Sequence, residues 1–170
     1  MTRLVVLAWG NPSRGDDALG PEFLRLAEAI APAAGHRVEF VTDFQLQPEH
    51  ATDLLGRDLA LFVDASATAA APFAFGAVAP ARDHTFTSHS MSPAALLAAH
   101  GAAFNEPAPP AFVLAIRGER FELGEPIGAS ARENLRQALA FYERLLAAPT
   151  ADAWRTQQPA RGGVARVERT

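Results

Sequence analysis

The sequence predicts one three-layer α/β/α domain built on a mostly parallel, doubly wound sheet. Three observations predict it. Residues 4–9, 59–63 and 112–116 are continuously apolar, the pattern of strands covered on both faces. Strand patterns alternate with helical ones, which implies parallel pairing through right-handed crossovers and helices on both sides of the sheet. A chain of 170 residues suits one domain and is long enough to bury a core without covalent staples.

The elements follow in order. Residues 4–9 (LVVLAW) form a buried strand that ends at Gly10-Asn11-Pro12. A loop over 10–20 leads to a helix over 21–33, with Pro21 suited to its first position and Phe23, Ala27 and Ile30 on one face. Residues 37–42 alternate polar and apolar, as an edge strand does. Pro48 opens a short helix that stops at Gly56. The strand over 59–63 runs into Asp64, an alanine-rich loop follows, and 73–78 is a strand or extended segment. Ser92 and Pro93 are an N-cap and first-position pair for a helix to His100. After Pro109-Pro110 comes the strand over 112–116. Ser130-Ala-Arg-Glu133 reads as a capping box for a last helix striped by Leu135, Ala138, Leu139, Tyr142, Leu145 and Leu146. Beyond Pro149 the periodicity stops. The domain is therefore expected over 1–148, with 149–170 as a mobile tail.

Composition removes whole classes of chemistry. There is no cysteine, hence no thiolate nucleophile, disulfide, iron–sulfur cluster or thiolate zinc site. All 15 basic side chains are arginine, hence no Schiff base and no P-loop lysine. A net charge of −4 argues against a nucleic-acid partner. Six apolar residues near the N-terminus are too few for a signal-peptide core or a membrane span, so a cytoplasmic protein with no membrane partner is expected. The G-x-G-x-x-G, G-x-S-x-G and H-E-x-x-H signatures are absent.

What remains is oxygen and nitrogen chemistry. In doubly wound folds ligands bind outside the carboxyl ends of the strands, where strand order reverses. Asp16 and Asp17 after the first strand, Asp43 after the second, Asp64 ending the third, and Ser88, His89 and Ser90 before the third helical segment all map to that edge. Carboxylates with a histidine there suit a metal site or an acid/base pair. Each has a plainer alternative. Asp16 or Asp17 can cap the next helix, Asp43 can close an Asx-turn, and His89 can be solvated. Asp64 is the hardest to explain structurally, because a carboxylate against apolar walls is costly to desolvate. His36, His50, His84 and His100 have no partner at a telling spacing and are read as structural or solvated.

The run Gly10-Asn11-Pro12-Ser13-Arg14-Gly15-Asp16-Asp17-Ala18-Leu19-Gly20 fits G-N-x-x-x-x-D-D/E-x-x-G after a first strand. With Asp64 in Leu-Phe-Val-Asp-Ala and the later Ser88-His89, it resembles the nickel–iron hydrogenase maturation endopeptidases over residues 3–147. The wording of residues 8–17 looks most like the branch that processes NAD-reducing hydrogenases. The resemblance implies an endopeptidase that removes the C-terminal extension of a hydrogenase large-subunit precursor after nickel insertion. It implies nickel contacts from Asp17, Asp64 and His89, with the metal carried by the substrate and held only weakly by the free enzyme. The first of these ligands is often Glu in relatives; here it is one methylene shorter, with Asp16 as the competing assignment. Asp43 matches a further acidic position of possible catalytic use, alongside Asp17 and Asp64. Two other readings stay open. One is a non-enzymatic nucleotide-binding domain with Gly10-Asn11-Pro12 as a phosphate turn. The other is an assembly factor that binds the precursor without cutting it.

Overall fold

A computed structural model describes residues 1–82 and 91–157 of the chain. His84, Ser88, His89, Ser90 and the tail from 158 onward lie outside the described residues. The strands are β1 (Arg3–Trp9), β2 (Arg37–Asp43), β3 (Leu59–Ser66), β4 (Phe73–Val78) and β5 (Ala111–Arg117). They form one sheet in the order β2-β1-β3-β5-β4. All pairings are parallel except that of β4, which runs antiparallel along the outer edge of β5. The apolar runs lie in the three central strands, and the alternating one, β2, lies at an edge, as its half-polar pattern requires.

The α-helices are α1 (Leu19–Ala27), α2 (Pro93–Phe104), α3 (Ala129–Leu146) and α4 (Ala151–Thr156). Side chains alternate across the sheet and build two cores. Leu4, Val6, Leu61 and Val63 pack with Phe23 of α1, Tyr142 of α3 and Trp154 of α4 on one side. Val5, Leu7, Trp9 and Phe62 pack with Leu54 of the 3-10 helix Pro48–Leu54 and with Leu96 and Leu97 of α2 on the other. Helices thus cover both faces, giving the three layers expected. Ser92 caps α2 as its sequence indicates, its Oγ accepting from the Ala95 N–H at 3.1 Å.

Local details depart from the sequence reading. α1 begins at Leu19, two residues before Pro21, because a 3-10 turn, Gly15–Ala18, feeds straight into it; it ends at Ala27 rather than 33. The S-x-x-E capping box does not form. Gly128 is the N-cap of α3, Ser130 sits inside the helix, and its hydroxyl donates to Glu119 instead. The boundary expected at 148 falls inside folded structure. Thr150 caps α4 by accepting from the Ala153 N–H, and Trp154 is 1% exposed against Phe75 and Phe112. The Trp154 indole N–H also donates to the Leu145 carbonyl at 3.0 Å, so α4 is bolted to the end of α3.

One core hydroxyl has no partner. Tyr142 is fully buried edge-on to Phe23, and its OH makes no hydrogen bond among the described residues. Burial alone pushes its pKa up. Removing an unsatisfied polar atom while keeping the ring relieves a desolvation penalty. Tyr142→Phe is therefore expected to leave stability unchanged or raise it by up to about 1 kcal/mol, read as the midpoint of urea unfolding.

Candidate functional site

The order of strands reverses between β1 and β3: the chain moves left from β1 to β2, then returns to β3 on the other side. The crevice outside the carboxyl ends of β1 and β3 is where such folds bind ligands. Asp17 follows β1 and Asp64 lies near the end of β3, so both belong to that crevice. Asp43 ends β2 and is the register partner of Trp9 at the end of β1.

The loop between β1 and α1 is shaped by close backbone approach. Gly10 has φ 148°, and a Cβ there would lie 2.0 Å from the Asp17 carbonyl oxygen. A Cβ on Gly20 would lie 2.2 Å from the carbonyl oxygen of Trp9. The first and last glycines of the motif thus let the loop fold back onto the end of β1. The turn amides are engaged internally. The Gly10 N–H donates to the Asp43 carbonyl at 3.1 Å, and the Asn11 N–H donates to Asp17 Oδ2 at 2.8 Å. These two contacts hold Asp17 and Asp43 on either side of Gly10.

The adjacent aspartates have opposite environments. Asp16 is 1% exposed. Its Oδ2 accepts from the Glu119 and Arg120 N–H groups at 2.7 and 2.9 Å, and its Oδ1 accepts from the Gly128 N–H at 2.8 Å. Burial pushes this carboxyl up, but the three N–H donors and the Arg120 charge outweigh it, and its pKa falls below the ordinary carboxylate value. Asp16 is a buckle between the motif loop and residues 118–128. Asp17, half-buried, keeps its other oxygen free of protein donors among the described residues. Of the two, Asp17 has the carboxylate available for a ligand. Neither caps a helix: the 3-10 turn and α1 both lack a side-chain cap.

Asp64 Oδ1 accepts from the Ala65 N–H at 2.8 Å. Burial pushes its pKa up to about 7, the Ala65 bond opposes this, and the nearby Asp17 charge adds to it. Two carboxylates in mutual electrostatic reach, one of them poorly solvated, are a receptive pair for a cation or for a shared proton. Among the described residues no group of three or more His, Asp or Glu side chains is arranged to hold a metal. His89, the third member of the set read from the sequence, lies outside them.

Asp43 is exposed, and its Oδ1 accepts from the Phe44 N–H at 2.7 Å. Its Oδ2 lies 3.3 Å from Nε2 of His50. The sequence pattern gives His50 no role beyond a structural or solvated one, whereas the structure places it beside a site carboxylate. The available signal is Gln47-Pro48-x-His50, a helix start that turns the third side chain back towards the preceding strand end. His36 and His100 are structural: His36 Nδ1 accepts from the Thr2 N–H, and the buried His100 lies 2.9 Å from the Ala51 carbonyl. No helix among the described residues is long and apolar enough to cross a membrane.

No protein-family model matches this chain, and no curated protein matches it. Solved structures do. The NiFe hydrogenase maturation protease HycI from Thermococcus kodakarensis KOD1 superposes with a TM-score of 0.65 at 16% identity, over 85% of this chain and 92% of that one. The hydrogenase maturating endopeptidase HybD from E. coli gives 0.62 at 20% identity, over 82% and 89%. The endopeptidase HycI from Escherichia coli gives 0.61 at 20% identity, over 85% and 91%. At these identities the likeness is one of architecture over nearly the whole length of each protein, and the fold of this chain is that of the hydrogenase maturation proteases.

Proposed function

We propose that this protein is an endopeptidase that removes the C-terminal extension of a nickel–iron hydrogenase large-subunit precursor after nickel has been inserted. The observation that carries the reading is the Asp17–Asp64 pair at the switch point between β1 and β3, in the fold of hydrogenase maturation proteases. In this reading nickel arrives as part of the substrate, bound by the precursor's own thiolates. That fits a chain with no cysteine of its own. Asp17 and Asp64, with His89 as the third group, dock onto the metal; nickel accepts both carboxylate and imidazole. The metal would mark a loaded precursor and, as a Lewis acid, would supply polarisation of the scissile carbonyl. Asp43, exposed at the neighbouring strand end, orients or activates the attacking water. The free protein holds nickel weakly, because carboxylates and an imidazole without a thiolate make a modest site.

The nucleotide-binding reading loses its main support. The Gly10 and Asn11 N–H groups, which a phosphate would need, already donate to Asp43 and Asp17, and the Asp17 carboxylate occupies the mouth of the turn.

Purified precursor, with and without nickel, incubated with this protein and weighed by mass spectrometry, tests the proposal. Loss of the C-terminal peptide is expected only with nickel. Cleavage without nickel, or full activity in His89→Ala, overturns the metal-recognition part. Complex formation with no loss of mass turns the protein into an assembly factor.

A further inference from the structure

We infer that His50 is a positioning residue for Asp43, its Nε2 held 3.3 Å from that carboxylate while its own ring is locked from behind; the inference rests on the peptidase reading above. The geometry fixes the tautomer of the ring. The Gln47 N–H donates to Nδ1 of His50 at 2.9 Å, so Nδ1 is the acceptor nitrogen. In the neutral ring the proton then sits on Nε2, which faces Asp43 Oδ2 at 3.3 Å. Nδ1 is occupied as an acceptor, Nε2 carries the proton, and the residue is only 9% exposed. The imidazole therefore has no nitrogen left to take a proton from substrate or water. The exposed partner is the carboxylate. This excludes the arrangement in which Asp43 orients a reacting histidine and leaves the reverse: the histidine orients the aspartate.

Two further contacts make the lock firm. Asp43 Oδ1 is held by the Phe44 N–H, and its Oδ2 is the oxygen turned to His50. His50 lies in the 3-10 helix Pro48–Leu54, whose Ala51 and Leu54 are buried in the core beneath Trp9, with the His100 ring tied to the Ala51 carbonyl. A rigid element thus aims Nε2 at the end of β2. General bases and water-orienting groups work only when held within hydrogen-bond reach of their target, and a rigid polar neighbour of this kind supplies that restraint.

Two substitutions separate positioning from mere packing. In His50→Asn the amide oxygen takes the place of Nδ1 and keeps the Gln47 bond, but nothing reaches Asp43. In His50→Gln the amide nitrogen takes the place of Nε2 and keeps an N–H group beside Asp43, but the Gln47 bond is lost. Precursor cleavage by the full chain is expected to fall about tenfold to a hundredfold in kcat in His50→Asn, with KM within about twofold of wild type. His50→Gln is expected to recover most of that loss although it is the less stable of the two on heating. Wild-type kcat in a folded His50→Asn variant, or rates that follow thermal stability, overturn the inference and leave the peptidase reading intact. No cleavage by wild-type protein defeats the peptidase reading itself. Nitrogen-15 NMR of the His50 ring gives a readout without substrate. A proton on Nε2 is expected, and a proton on Nδ1 overturns the inference.

Discussion

Asp16→Ala is expected to lower stability by about 3–5 kcal/mol, a large share of what a domain of this size has. The Asp16 side chain is buried, and its two oxygens satisfy the N–H groups of Glu119, Arg120 and Gly128. Truncation removes the acceptor of three part-buried N–H groups at once, and each lost hydrogen bond to a charged group costs about 1–2 kcal/mol. Asp16→Asn is expected to be no milder than half that loss, since its amide NH2 must face one of the same donors. The pH dependence has a definite sign. The folded pKa lies below the ordinary value of 3.8, so the contribution is fully present above pH 4 and disappears as pH falls through the folded value. The variant should therefore lack part of the acid limb of the wild-type stability profile. Urea unfolding at pH 7 and pH 3 measures both quantities. Asp17→Ala is the contrast. It removes one hydrogen bond, to Asn11, and should cost about 1 kcal/mol while abolishing cleavage. If the two variants lose stability equally, Asp16 is not the buckle.

That contrast marks the limit of what the sequence says. The motif brings two aspartates to the end of β1, but the role of each depends on whether residues 118–128 fold back over the loop, a contact across more than a hundred residues of chain. Local pattern cannot weigh such a contact. The sheet is legible because burial on both faces writes itself as uninterrupted apolar runs, and Asp64 stands out because it breaks one of them at its end. The capping box at Ser130 misleads because Asp16, from the far end of the chain, satisfies Gly128 first and moves the cap upstream. Helix α4 escapes a periodicity argument because six residues hold too few apolar positions to show a period, although Thr150 followed by Trp154 is a cap and an anchor. His50 escapes it because its partner lies seven residues back, across a strand end and a turn.

Asp64→Asn is expected to abolish cleavage and to make the protein more stable at neutral and alkaline pH. The folded pKa of about 7 stands well above the ordinary 3.8, so between those values the native state binds a proton that the unfolded chain releases. Wild-type stability must then fall as pH rises from about 4 to about 7, by roughly 1.4 kcal/mol for each pH unit at most, and stay at the lower level above it. Asparagine has no charge to desolvate, and its amide oxygen still accepts from the Ala65 N–H. The variant should match wild type below pH 4 and exceed it by roughly 2–4 kcal/mol at pH 8, as read from urea midpoints at each pH. An equal or lower midpoint at pH 8 would show that the carboxylate is not held at a loss. A fold that carries an ionised group against its own stability is relieved only by something positive beside it, and the Asp17 charge makes the need greater. Nickel at concentrations high enough to fill a weak site should therefore raise the melting temperature of wild-type protein at pH 8. It should leave Asp64→Asn, which already lacks the buried charge, far less changed.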